Sequence, residues 1–372
     1  MRARHPLSWL APRATRRERA LLLALCATVT LGTGSPVQAR PQYALEHVVK
    51  LPGDGGWDYL ALDAQAGRLF IAHGSRVDVI DTQRLQRIGE IAETAGVHGI
   101  ALAPELSRGF ISAGAANSVV EFDLESLARL REVRTSGDGP DAIVFEPTTQ
   151  RVLTFNGRGR NVSVFDAHSL ELLGTIALDA KPEAAVADAH GQVFVNLEDK
   201  NSVAVLDART SAVRAVWPLS GCEAPTGIAY SELTRQLYSV CGNAVMVVLD
   251  AADGHVLGSA PIGKGADDAA YDADARLAFA SCGEGVVSVV AQGADGKPHV
   301  VQSIPTQRGA RTMALDPRRH RLYLVTASFA AAPAATPQQP HPRPAIEAGS
   351  FRLLVVTRMR EKMTTSAEGR AP

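Results

Sequence analysis

Apolar and polar positions alternate with a period of two along most of the chain, and Gly, Asp, Asn or Pro interrupts them every few residues. That pattern predicts short, half-buried strands joined by tight turns. RLFI (68–71), VDVID (77–81), VSVFD (162–166) and VAVLD (203–207) carry it, and their β-branched content suits a pleated surface. Beyond the N-terminal segment no stretch of helical length shows a convincing 3.6-residue period. An α/β architecture is therefore disfavoured.

The strands recur as a unit. DYLALD (58–63), HGIALA (98–103), DAIVFE (141–146), EAAVAD (183–188), TGIAYS (226–231), DDAAYD (267–272) and RTMALD (311–316) are copies of one segment, with last residues 40, 43, 42, 43, 41 and 44 apart. Seven copies at this period predict seven blades of four strands each. The segment just given is the innermost strand A, whose small residues fit the crowding around a central axis. Strand B follows (QVFV, 192–195), then a Val-rich strand C, then strand D (LGTI, 173–176).

The ends predict closure of the ring. The seventh unit has strands A, B and C (351–356) but no strand D, while ALEHVVKL (44–51) stands alone ahead of the first strand A. Pairing the two removes an exposed edge. The expected fold is all-β: a single seven-bladed β-propeller over 40–357, four antiparallel strands per blade, the N-terminal strand completing the last blade. An Ala/Pro-rich loop (327–349) interrupts blade seven and should be extended or mobile, and 358–372 is expected to be a disordered tail.

The repeat resembles the YVTN-type β-propeller repeat of exported bacterial proteins, in particular the YncE-like family. LYLVT (322–326) is the copy nearest the motif. The resemblance spans the chain from about Ala44 to Val356. WD40 propellers would require recurring Trp-Asp strand ends, and past the N-terminal segment only Trp57 and Trp217 occur, neither in that setting. The family's members mostly lack an assigned role, and the DNA binding proposed for one branch is what the resemblance implies for partners.

The first 39 residues read as an export signal. Arg13, Arg16, Arg17 and Arg19 precede an apolar run over 20–31, and Val37-Gln38-Ala39 offers a small-residue cleavage site. The run is short of the roughly 20 residues needed to cross a bilayer. The expected location is the periplasm or the outside of the cell, with no membrane span once the signal is removed and a monomeric mature chain.

Export changes the charge. Of 38 Lys+Arg and 39 Asp+Glu, the first 39 residues hold six Arg and one Glu, leaving 32 basic and 38 acidic groups, a net of -6. A mildly acidic surface makes nucleic acid an improbable partner. Removing the signal also removes Cys26, leaving Cys222, Cys241 and Cys282. Their spacings match no zinc pattern. Buried packing for each stands beside a disulfide between Cys222 and Cys241, both placed by the repeat on one face of blade five.

No Cys-x-x-Cys, His-Glu-x-x-His, Gly-x-Ser-x-Gly or Gly-Lys-Ser/Thr occurs, so no catalytic residue is assigned. The topology offers another lead. The residue opening each strand A lies around the channel mouth, on the face that also carries the B–C loops. Those residues are Asp58, His98, Asp141, Glu183, Thr226, Asp267 and Arg311. Grouped carboxylates and an imidazole can hold a divalent cation (here Asp58, Asp141, Glu183 and Asp267), orient a cationic ligand, or act as acid and base. An ion-pair ring that merely closes the propeller fits the same residues.

Two functional expectations follow. The first is a non-enzymatic exported binding or scaffold protein that presents the channel mouth to a small ligand, metal ion or protein partner. The second is a metal-assisted hydrolase or lactonase with its carboxylates at that mouth.

Overall fold

The computed structural model describes residues 42–334, 336, 342 and 344–359. The expected signal segment and most of the expected tail lie outside the described residues. Seven four-stranded antiparallel sheets are arranged as the blades of a propeller. Blade one is typical: Trp57–Asp63, Arg68–His73, Arg76–Asp81 and Gln86–Ile91 pair in sequence order. The innermost strands of blades two to seven are Val97–Ala103, Pro140–Glu146, Pro182–Ala187, Pro225–Ser231, Ala266–Asp272 and Met313–Asp316.

Closure occurs as the orphan strand predicts. Tyr43–Lys50 pairs antiparallel with Arg352–Arg358, and Leu51 N–H donates to the Phe351 carbonyl at 2.9 Å. The last strand runs to Arg358, and Met359 N–H donates to the Gln42 carbonyl at 2.7 Å, so order extends past the expected boundary at 357. Tyr43 anchors the clasp: it is 2% exposed and meets Phe279 of blade six edge-on at 5.1 Å.

The core lies between the blades. Phe70, Val77 and Val79 of blade one interleave with Ile100, Ile111 and Phe122 of blade two, and each neighbouring pair of blades repeats such a layer. Alternation puts one apolar face of each strand into a layer on either side, so strands B and C are buried almost throughout. At two glycines of the inner strands there is no room for a side chain. A Cβ on Gly99 would come within 2.8 Å of the Asp141 carbonyl, and one on Gly227 within 2.5 Å of the Asp268 Cα.

Side-chain hydrogen bonds hook several inner strands to the preceding blade. Ser112 Oγ donates to the Asp141 carbonyl, Asn196 Nδ2 to the Thr226 carbonyl at 2.7 Å, and Thr312 Oγ1 to the Asp58 carbonyl at 2.8 Å. These hooks fix the backbone from which the channel-mouth side chains project.

Cys222 and Cys241 form a disulfide with a Cα–Cα separation of 5.5 Å, and Cys282 is buried as a free thiol whose pKa burial pushes up to about 11.

Candidate functional site at the channel mouth

One irregularity builds the mouth. In blades one to six strand A carries one more residue than strand B opposite its start, for instance between the pairs Trp57/His73 and Leu60/Ile71. A bulge of this kind releases a residue from the alternation and re-aims its side chain. The released positions include Asp58, His98, Asp141, Glu183, Thr226 and Asp267, each the second residue of its strand. Arg311 occupies the equivalent place just ahead of Met313–Asp316.

The seven residues fall into separate sets. Asp58, His98 and Asp141, from three consecutive blades, place one ligand atom each within 4.8 Å of one another. His98 Nδ1 lies 2.5 Å from Asp58 Oδ2 and 3.9 Å from Asp141 Oδ1. The hydrogen bond to Asp58 raises the pKa of His98 above its ordinary value, against burial and the positive field of Arg158. Asp141 is pushed up to about 6, first by desolvation and then by the charge on Asp58.

The other rim groups are engaged elsewhere. Lys181 bridges Glu183, at 2.5 Å, and Glu198. Burial nonetheless drives the Glu183 carboxyl above its ordinary value, opposed by that Lys181 bond. Arg311 Nε donates to Asp267 Oδ2 at 2.5 Å. Thr226 is structural, its hydroxyl donating to the Ala266 carbonyl of the next blade at 2.9 Å.

Several residues of the site escape a reading of strand starts. Tyr59 is freed by the same bulge as Asp58 and packs across the channel against the layer between blades four and five. Burial, then Asp141, Asp58, Asp267 and Glu183, hold its phenol well above the usual pKa. Together with Asp268, Gly99 and Met313 it lines an inner chamber of about 190 Å³. Asp268 accepts the Met313 N–H at 3.0 Å and the Ala269 N–H at 2.8 Å, and desolvation still raises its pKa to about 7. The sequence signal for both is adjacency, since Tyr59 follows Asp58 and Asp268 follows Asp267 at the bulge.

Above the rim lies a cleft of about 640 Å³, bounded by Trp57, Asp58, His98, Arg308 and Arg311 and by Phe329, Pro344 and Ile346 of the blade-seven loop. The ends of this loop are not random coil. Phe329 and Ile346 form a β-bridge, flanked by hydrogen bonds from Ala330 N–H to the Ala345 carbonyl and from Glu347 N–H to the Ser328 carbonyl, both 2.9 Å. Phe329 sits 6.0 Å from the Trp57 ring, with the Arg308 guanidinium 5.8 Å over its face. The cleft thus has an aromatic side, an Asp–His wall and a guanidinium wall.

This architecture is that of a seven-bladed β-propeller scaffold. No family model and no curated protein sequence matches the chain. Among solved structures it is similar to the RRP9 WD40 repeats, with a TM-score of 0.72 and 11% identity over 86% of this chain and 100% of that one. It is also similar to U3-55K, with a TM-score of 0.70 and 10% identity over 84% and 98%. A third is Kuenenia stuttgartiensis hydrazine synthase, with a TM-score of 0.65 and 15% identity over 74% and 94%. At these identities the likeness shows the fold alone. Among the described residues no helix is long and apolar enough to cross a membrane.

Proposed function

We propose that the protein is an exported binding module of the YncE-like kind, which receives a small ligand between the channel-mouth rim and the loop at 327–349. The observation that carries this reading is the cleft of about 640 Å³ in which loop residues Phe329, Pro344 and Ile346 face rim residues Asp58, His98 and Arg311. Concave sites with a mostly apolar lining and a few convergent polar groups are the usual form of small-molecule pockets. A ligand with an aromatic or apolar body and polar ends of both signs matches Trp57 and Phe329, the carboxylates, and Arg308. Export rests on the N-terminal sequence, and the Cys222–Cys241 disulfide accords with an oxidising compartment.

Nucleic acid suits this mouth poorly, because Asp58, Asp141, Glu183 and Asp267 would repel its phosphates. Metal-assisted hydrolysis is the second reading, favoured by the convergence of Asp58, His98 and Asp141. A thermal-shift panel of small amphiphiles tests the binding reading. Compounds that raise the melting temperature of the parent protein should lose that effect when Trp57→Ala and Phe329→Ala strip the aromatic side. Binders unaffected by both substitutions would place their site elsewhere.

A further inference from the structure

We propose that Asp58, His98 and Asp141 form a three-ligand site for a divalent transition cation of the zinc or manganese kind. The claim stands independently of whether the cleft above takes an organic ligand.

The donor chemistry comes first. One imidazole nitrogen with two carboxylate oxygens suits borderline cations, whereas all-oxygen sets suit calcium or magnesium. The three ligand atoms already lie within 4.8 Å of one another. A tetrahedral zinc about 2.1 Å from each would hold neighbouring ligand atoms about 3.4 Å apart. The His98–Asp58 contact of 2.5 Å must then open and the His98–Asp141 contact of 3.9 Å close, both adjustments within reach of side-chain rotation. The backbone need not move, because Thr312 and Ser112 hook the carbonyls of Asp58 and Asp141.

A separate observation concerns Asp141. Its carboxylate retains 26% of its surface, yet it accepts no hydrogen bond from any described residue. The other rim acids have donors: Glu183 has Lys181, Asp267 has Arg311, and Asp268 has two backbone N–H groups. His98 and Lys181 offset the Asp141 charge only through space, and a cation would supply the direct partner that a recessed carboxylate without a hydrogen-bond donor lacks. The cleft opens above Asp58 and His98, which leaves coordination positions for water or a ligand oxygen.

Isothermal titration of the chelator-treated, dialysed protein with ZnCl2, and separately with MnCl2, tests the site. The expected result is one equivalent bound by the parent protein. Asp141→Asn removes a ligand without removing a hydrogen bond. It should leave the circular dichroism unchanged and weaken binding by more than the roughly 10–100-fold that loss of an outer hydrogen-bond partner costs a metal site. His98→Gln should do the same, and Glu183→Gln should retain near-parent affinity. No stoichiometric binding by the parent overturns the proposal. So does full retention by His98→Gln and Asp141→Asn, which would assign the ion to exposed pairs such as His255 with Asp253 or His299 with Asp295.

Discussion

Gly114 lies against the face of the His98 imidazole, so close that a Cβ at 114 would stand 2.6 Å from the ring Cδ2. The absence of a side chain at one position thereby sets the direction of the ring at another. Gly114→Ala should push the imidazole off Asp58 and lower the His98 pKa toward that of an ordinary histidine, because the bond to Asp58 is the main cause of the rise. NMR titration of the His98 ring measures this, and an unchanged midpoint would contradict it. Stability from this His–Asp bond is fully present below the unfolded histidine pKa. It is lost as pH rises through the raised native value.

How legible was this site beforehand? Strand starts and the repeat length were enough to place Asp58, His98 and Asp141 on one rim, because four strands per blade bring every strand A back to the same face. The pairings were hidden. Lys181 precedes strand A, so nothing in its spacing marks it as the partner of Glu183, and the bulge that frees Tyr59 together with Asp58 is a tertiary irregularity. Thr226 has the chemistry of a rim donor, but its hydroxyl turns to the Ala266 carbonyl. The closing strand, by contrast, was readable from an orphan alternating run and a missing strand D.

Asp141 shares the direction of the His98 pH dependence, in a lower pH window. Its folded pKa of about 6 lies above the ordinary 3.8, so the neutral form favours folding and ionisation opposes it. In metal-free protein this contribution is fully present below pH 3.8 and is lost as pH rises through about 6. Asp141→Asn should therefore stabilise the apo-protein at pH 8, on the order of 3 kcal/mol before solvent screening, and give no gain at pH 3.5. Chemical denaturation at the two pH values checks this, and equal shifts at both would refute it.

The disulfide should be measurable as a thiol count. A denatured, unreduced chain beginning at Arg40 should titrate one thiol, Cys282, because Cys222 and Cys241 are joined. Replacing both with Ala should lower stability by ~3 kcal/mol, the cost expected for a cross-link closing a loop of this size. Three reactive thiols would show the bond absent.

Ring closure depends on Tyr43–Lys50. Deleting residues 40–51 exposes the edge of Arg352–Arg358 and removes Tyr43 from its contact with Phe279. The expected loss is several kcal/mol, and Tyr43→Ala alone should cost ~3 kcal/mol, as for other large buried aromatics. A truncated chain that melts with the parent would contradict the closure.

The central claim is that the cleft beneath the blade-seven loop is where a ligand binds. Trp57 reports on it directly, since its ring lines the cleft beside Phe329. In a chain beginning at Arg40 and carrying Trp217→Phe, Trp57 is the sole tryptophan. Titrating this chain with the amphiphiles that stabilise the parent should shift Trp57 emission saturably, and replacing 330–345 with a short Gly-Ser turn should abolish the shift. Stabilising compounds that leave Trp57 emission untouched, or that bind the loop-shortened chain equally well, would contradict the account.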